Sequence, residues 1–284
     1  MQDNNTKISE EKIQYTIEFD SHKETTPDIP KIIFIVPYRD RELQKNFFIR
    51  QMAYVLEDMD KSDYKIYFVE QGDQRTFNRG AIKNIGFLAM REKYPDDYQN
   101  ITFVFNDVDT MPFTKNFLDY KTVHGKIKHF YGFHFALGGI ISITGRDFER
   151  LNGFPNFWAW GFEDNLLNQR AIQARIEIDR TEFYPIYDKH IIQLNDGLVR
   201  NVNRTEFVRY AKKTVEGWNT IIQLQYFINE EAMTVYVEGF NTGIEENKAD
   251  TKIHDLRTGN KPYTDILRGG RGPALNFTFL QGKR

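Results

Sequence analysis

The chain contains no cysteine. That excludes disulfides, thiolate metal sites and a cysteine nucleophile, and it suits a reducing compartment. Long apolar runs are missing as well: residues 1–30 hold no stretch that would serve as a signal peptide or a membrane anchor. The expectation is a cytoplasmic protein, or one trimmed of its anchor. Charge of one sign is not in excess. The 38 Lys and Arg against 40 Asp and Glu give a formal net charge of -2, which disfavours nucleic acid as a partner. Asn4, Asn100, Asn203 and Asn276 stand in N-x-Ser/Thr sequons, read as chance occurrences without a secretory signal. There is no internal repeat and no low-complexity tract.

What is present is ample core material. At 284 residues, 40% hydrophobic and 15% aromatic, the chain can build one large α/β domain or two small ones. The stretch that organises it is Ile101-Thr102-Phe103-Val104-Phe105-Asn106-Asp107-Val108-Asp109. Its apolar and β-branched run predicts a buried strand, and the strand ends in two carboxylates one residue apart. Burying that end costs desolvation unless something neutralises the charge. A divalent cation is one answer, at the sheet edge where α/β folds bind ligands. The other is a solvated turn capped by Asp107 and Asp109 ahead of Met111-Pro112.

The elements fall in a regular order. Residues 1–11 read as a disordered lead-in, and Ile13, Tyr15, Ile17 and Phe19 alternate as one half-exposed strand. The core begins with the strand Ile32–Val36. A helix follows with Phe48, Met52, Val55 and Met59 at helical spacing. Tyr64–Val69 is a second strand, and 77–94 a second helix with Ile82, Ile85, Gly86 and Ala89 on one face. Strand–helix–strand–helix–strand predicts a parallel sheet covered by helices. Beyond it we expect a strand over Phe135–Ile143 interrupted by Gly138-Gly139, and a helical turn at 148–153. A helix over 164–174, a long loop over 193–205 and a helix over 207–215 follow, then a strand at Thr234–Val237. Residues 239–262 are polar. Leu275, Phe277 and Phe279 alternate like the N-terminal strand, so the termini are expected to pair. The domain division is 1–30 as an N-terminal extension, 31–238 as the main α/β domain and 239–284 as a C-terminal extension.

Three further segments carry chemistry. Pro37-Tyr38-Arg39-Asp40-Arg41 closes the first strand, and its arginine pair suits a diphosphate, which guanidinium binds bidentately; a solvated turn is the alternative. Phe77-Asn78-Arg79 adds an aromatic, an amide and a third guanidinium at a helix start, where anions are favoured. Asn156-Phe157-Trp158-Ala159-Trp160-Gly161-Phe162-Glu163-Asp164 sets two of the three tryptophans beside two carboxylates. Aromatic faces with acids hold sugars, and such an acid can act as a general base toward a hydroxyl. A core Trp cluster capped by the acids of the next helix explains the same residues. His190 is one of six histidines; it is structural on its own, and with Asp107 and Asp109 it would complete an O/N site suited to Mn²⁺.

Taken in order, these segments resemble the β-1,4-galactosyltransferase family. The matching pieces are Val36-Pro37-Tyr38-Arg39-Asp40-Arg41, Phe77-Asn78-Arg79 running on to Asn84-Ile85-Gly86-Phe87, Phe103 to Asp109, Gly138-Gly139, and Asn152-Gly153-Phe154-Pro155-Asn156 continuing to Asp164. The match covers roughly residues 31 to 238. The resemblance implies the GT-A fold, a Rossmann-like mixed α/β sheet flanked by helices. It also implies an inverting transfer from a UDP-sugar with a divalent cation, Mn²⁺, as cofactor and a carbohydrate or glycoconjugate as acceptor. On this resemblance Pro37, Tyr38, Arg39, Arg41, Phe77 and Arg79 hold the donor, with Asp107, Val108, Ala136, Gly138 and Gly139 lining it. Trp160 belongs to a mobile loop that closes over the donor, and His190 opens a long lid. Asp109 and His190 are metal ligands. Glu163 and Asp164 contact sugar, Asp164 as the base.

Four positions depart from the family pattern. Tyr187 stands where a methionine ligand is usual, and Asp188, two before His190, is placed to substitute for it. Phe162 replaces a residue that is commonly glycine, and Asn165 replaces a usual aspartate; both bear on the acceptor site, which Phe207 is expected to line. Ala136 stands where the UDP-galactose enzymes tend to carry tyrosine, and a small side chain leaves room for a 2-acetamido group. The expectation is therefore transfer of Gal, GalNAc or GlcNAc. The rivals are a catalytically silent carbohydrate-binding protein on the same fold and a UDP-sugar hydrolase.

Overall fold

The computed structural model describes residues 29–195, 197–258 and 263. The first half alternates strands and helices: β1 (Ile32–Tyr38), α1 (Glu42–Val55), β2 (Tyr64–Gln71), α2 (Arg79–Lys93), β3 (Thr102–Asn106) and the short β4 (Thr110–Pro112). Then come β5 (Lys126–Gly132), β6 (Ile140–Thr144), α3 (Gly145–Arg150), α4 (Glu163–Gln173), β7 (Glu177–Asp179), β8 (Tyr184–Pro185) and β9 (Ile191–Gln193). The last described elements are β10 (Val199–Asn203), α5 (Arg204–Ala211), β11 (Ile222–Asn229), β12 (Thr234–Asn241) and β13 (Thr251–Asp255).

The main sheet runs β11-β12-β2-β1-β3-β6-β5-β7, with β8 also on β5. Strands β12, β2, β1 and β3 are mutually parallel, whereas β6 lies antiparallel between β3 and β5. The sheet is thus mixed, the GT-A arrangement, rather than the purely parallel one that the strand–helix alternation alone predicts. Both faces are covered, so its central strands read as unbroken apolar runs. Ile33 and Ile35 of β1 pack with Tyr67, Val69, Phe103 and Phe105 against α2. Ile32, Phe34 and Val36 pack with Phe68 and Val104 against Phe48, Met52 and Val55 of α1. Met59 lies beyond the end of α1 and still packs on that cluster.

Several expectations change on contact with the structure. The strand expected over 135–143 begins only at Ile140, because Gly139 takes a left-handed φ of +74° and turns the chain. The expected loop over 193–205 contains β10, which pairs antiparallel with β13 from the polar 239–262 segment. Neither strand has a close neighbour in sequence, so the pairing leaves no local signal. The boundary placed at 238 falls inside β12, which continues to Asn241. The strand expected at 13–19 and its pairing with 275–279 lie outside the described residues. Among the described residues no helix is long and apolar enough to cross a membrane.

Helix α2 sits very close to the sheet, and Gly86 is the reason. A Cβ there would stand 2.7 Å from Ile35 Cγ2 and 2.8 Å from Val69 Cγ2, and both neighbours are β-branched and stiff. Gly86→Val is expected to lower unfolding free energy by about 2–4 kcal/mol by overpacking. Urea denaturation measures this, and an unchanged midpoint would contradict the close contact.

Candidate active site

The site forms where β1 and β3 end and where α2 and α4 begin. Each of these helices is opened by the residues that matter. Asn78 caps α2, its side chain accepting from the Ala81 N–H at 2.9 Å, and Arg79 is the first helical residue. Helix α4 starts at Glu163 and Asp164, so both acids lie in the first turn, where the helix dipole favours negative charge. Phe162 caps α4 from φ +75°, a left-handed conformation that glycine adopts without strain. Phe162 holds it by stacking on Tyr210 at 4.8 Å between centroids and meeting Phe207 edge-on at 5.1 Å.

Three carboxylates and two cations then interlock. Arg79 Nη1 lies 3.2 Å from Asp107 Oδ2, and its Nε 3.9 Å from Glu163 Oε1. One turn further along α2, Lys83 Nζ lies 2.9 Å from Asp164 Oδ1 and 3.9 Å from Asp107 Oδ1. Burial is the largest influence on Asp109, Glu163 and Asp164. It raises Asp164, pushes Glu163 up to about 7 with Asp164 adding to it, and pushes Asp109 up to about 6 with Asp107 adding to it. Burial also works against the charge on Lys83 and Arg79, and the surrounding carboxylates more than offset it.

The turn between β5 and β6 presses on this cluster from the other side. The Leu137 N–H donates to the Asp164 carbonyl at 3.0 Å, and the Asp107 N–H to the Gly139 carbonyl at 3.0 Å. A Cβ on Gly138 would stand 2.2 Å from Asp164 Oδ2, and one on Gly139 2.3 Å from the Tyr131 carbonyl oxygen. Both glycines are required by close approach. Ala136 is buried in the same turn, its N–H donating to the Phe133 carbonyl at 3.0 Å.

Toward β1, Pro37 pairs opposite Val69, and Tyr38 is buried edge-on to Phe68. Arg39 donates to the carbonyls of Asp73 (3.2 Å) and Arg75 (2.7 Å), and its guanidinium lies 5.4 Å from the centre of the Phe77 ring. Arg39 and Phe77, far apart in sequence, are therefore one unit. Arg41, at the start of α1, faces Asp109 together with Arg79 and Arg200. Val108 is buried between the two aspartates.

The remaining expected residues are placed less closely. Trp160 donates its N–H to the Asn201 carbonyl at 2.9 Å and packs on the cluster of Phe157, Leu166, Val202, Phe207, Tyr210 and Tyr263. The segment expected as a mobile loop is thus tied to β10 at this point. Trp158 follows the core reading: buried, stacked on Phe240 at 5.5 Å, its indole N–H donating to the Ile244 carbonyl. Phe207 is buried, stacked on Tyr263 at 4.9 Å. Asn165 is half-buried on α4.

The expected metal set is not assembled. Asp188 Oδ1 lies 2.8 Å from His190 Nδ1 and also accepts the His190 N–H at 2.9 Å, so the pair closes on itself. Strands β4 and β9 pair antiparallel, with the Leu194 N–H on the Asp109 carbonyl and the Phe113 N–H on the His190 carbonyl. Asp109 and His190 consequently sit at opposite ends of that ladder, on the order of 13 Å apart along the strand. Among the described residues no three His, Asp or Glu side chains come together as a cation cage. The segment after His190 carries β9 and then β10. With Asp107 matched by Arg79 and Lys83, the half-buried Asp109 is the carboxylate that fits a cation, provided a donor diphosphate and water complete the shell.

Sequence reasoning missed Lys83 and Arg200. A lysine one turn after Arg79, among apolar positions, was the available signal for the first; Arg200 lay in a stretch read as loop. It also missed the amide lattice that fixes the 152–156 turn. Asn84 Nδ2 donates to the Phe154 carbonyl (2.7 Å) and to Asn156 Oδ1 (2.9 Å), and Asn156 Nδ2 donates to the Gly217 carbonyl (2.8 Å).

Comparison with known proteins agrees with this architecture. Residues 4–121 match the model of the N-terminal region of glycosyl transferase group 7, and residues 119–192 that of the N-terminal domain of galactosyltransferase. Human β-1,4-galactosyltransferase 6 is 28% identical over 206 residues, covering 68% of this chain and 52% of that protein. β-1,4-Galactosyltransferase 5 of Sus scrofa is 27% identical over 224 residues, 75% of this chain and 56% of that protein. The chain thus spans about half the length of these curated relatives. In structure it is similar to the catalytic domain of Drosophila β-1,4-galactosyltransferase 7 in complex with xylobiose. The TM-score is 0.55 at 20% identity, over 74% of this chain and 93% of that one. A mutant of the same Drosophila enzyme, in complex with manganese, UDP-Gal and xylobiose, gives a TM-score of 0.52 at 19% identity over the same shares. Two consecutive family models, the curated relatives and the GT-A fold converge: the chain belongs to the β-1,4-galactosyltransferase family of glycosyltransferases.

Proposed function

We propose that this protein transfers a hexose or N-acetylhexosamine from a UDP-sugar to a hydroxyl of a glycan acceptor, with inversion, using a divalent cation. The observation that carries the reading is the joining of two charge systems in one buried cluster. Asp107 and Asp109 lie on the arginine side, and Glu163 and Asp164 lie at the start of α4. A carbohydrate-binding protein needs a polar rim, not this concentration of buried charge. The complex of the Drosophila relative with manganese, UDP-Gal and xylobiose supports the same assignment.

In this reading Arg39 and Phe77 hold the uridine end, while Arg41 and Arg79 take the diphosphate, whose growing charge the guanidiniums spread as the sugar departs. Asp109 would hold Mn²⁺, which when bound supplies further charge neutralisation on the leaving UDP. Asp164 receives the proton of the acceptor hydroxyl, and Glu163, whose proton affinity burial raises, hydrogen-bonds sugar. Phe162 and Phe207, with Asn165 on the same helix as the base, form the acceptor side. The catalytic unit is assigned to the residues from 31 through β12, which ends at Asn241. The lack of cysteine favours the cytoplasm as its location.

UDP release from UDP-Gal, UDP-GalNAc and UDP-GlcNAc, with Mn²⁺ or EDTA, tests the assignment. Wild type is expected to turn over at least one donor only with Mn²⁺, and Asp109→Ala to lose on the order of 100-fold. Turnover that is equal in EDTA would overturn the cation's role. On the reading that the small Ala136 side chain lines the donor sugar, at least one N-acetyl donor is expected to be accepted. Use of UDP-Gal with both N-acetyl donors rejected would overturn that expectation.

A further inference from the structure

Lys83 is 1% exposed, and no feature of helix packing calls for a cation there. Its helix neighbours Ile82 and Ile85 are core residues, and its ammonium lies 4.5 Å from the centre of the Phe154 ring. Desolvating an ammonium costs several kcal/mol and is offset only by close ion pairs. The nearest pair is with Asp164 Oδ1 at 2.9 Å. The other carboxylate oxygen, Oδ2, rests on the bare Cα of Gly138. Asp164 is thus gripped at one oxygen, while the other faces the Gly138–Gly139 turn.

The groups facing Asp164 from each packed element are few. Helix α2 presents Lys83 and Arg79, the end of β3 presents Asp107, and α4 presents Glu163. The β5–β6 turn contributes backbone only, and His129, behind the Gly138 carbonyl, is kept neutral by burial. Burial and the two carboxylates favour a protonated Asp164, which accepts no proton; Lys83 and Arg79 oppose them.

We propose that Lys83 is a positioning residue: it keeps Asp164 ionised and occupies Oδ1, so that Oδ2 is the atom that takes the acceptor's proton. This rests on the reading of Asp164 as the base. As the acceptor oxygen bonds to the anomeric carbon, the bond from that carbon to the diphosphate oxygen breaks. The electron pair leaves with UDP, and the hydroxyl proton passes to Oδ2.

The test follows the Asp164 carboxyl by ¹³C NMR against pH, assigned by its absence in Asp164→Asn, alongside the pH profile of sugar transfer. Removing the cation raises the acid's proton affinity. Lys83→Met is therefore expected to move the Asp164 midpoint, and with it the acidic limb of the rate, upward by about one to three pH units. Lys83→Arg is expected to recover most of that shift. An unmoved midpoint in Lys83→Met overturns the proposal. Should Lys83→Met fail to fold, Lys83→Met/Asp164→Asn decides. Recovered folding supports the pairing as the cause, and continued failure assigns Lys83 to packing and overturns the proposal. A wild type that titrates as described but transfers from no UDP donor would overturn the transferase reading separately.

Discussion

Everything at the centre of this molecule depends on how buried negative charge is matched. Asp107, Glu163 and Asp164 arrive from β3 and α4, and the cations that answer them, Arg79 and Lys83, come from one helix at one-turn spacing. A rigid helix face thus sets the spacing between the two acid groups. The position of that face is set in turn by Gly86, which lets α2 approach β1 and β2. Moving α2 outward would separate Arg79 and Lys83 from all three acids at once. Core packing and site electrostatics are one constraint here rather than two.

The glycine pair completes the arrangement by removing side chains from where the Asp164 carboxylate and the Tyr131 carbonyl lie. Gly138 yields room to the Asp164 carboxylate and Gly139 to the Tyr131 carbonyl. Phe162 represents the opposite trade. It occupies a left-handed position and holds it with aromatic contacts to Tyr210 and Phe207. A strained residue of this kind costs on the order of 1–3 kcal/mol, which the stacking offsets. A rigid aromatic group thereby stands directly before Glu163 and Asp164.

Much of this was legible from the sequence, and what was not has a common cause. Strands β1 and β3 read as unbroken apolar runs because both their faces are covered, and α2 showed its buried stripe. The ends of these elements carried Arg39, Arg79 and Asp107, so their convergence followed from topology. Lys83 did not show, because a lysine on a helix reads as solvated unless one knows which acid lies beside it. The same holds for β10, whose partner β13 begins some fifty residues later, and for His190. A matching local motif suggested His190's role, but its distance from Asp109 is decided by the β4–β9 register.

The strand order also governs how the chain is made. Strand β2 forms early, yet one of its edges is covered only by β12, which pairs with it in parallel from residues 234–241. Until that strand leaves the ribosome, β2 presents a row of unpaired amides and carbonyls, the kind of edge that recruits other chains. The residues that form the arginine and carboxylate cluster, up to the start of α4, all precede the strand that closes the sheet. In chain order the residues of the site are therefore complete while the β2 edge still lacks its partner, and β12 is the strand that seals it.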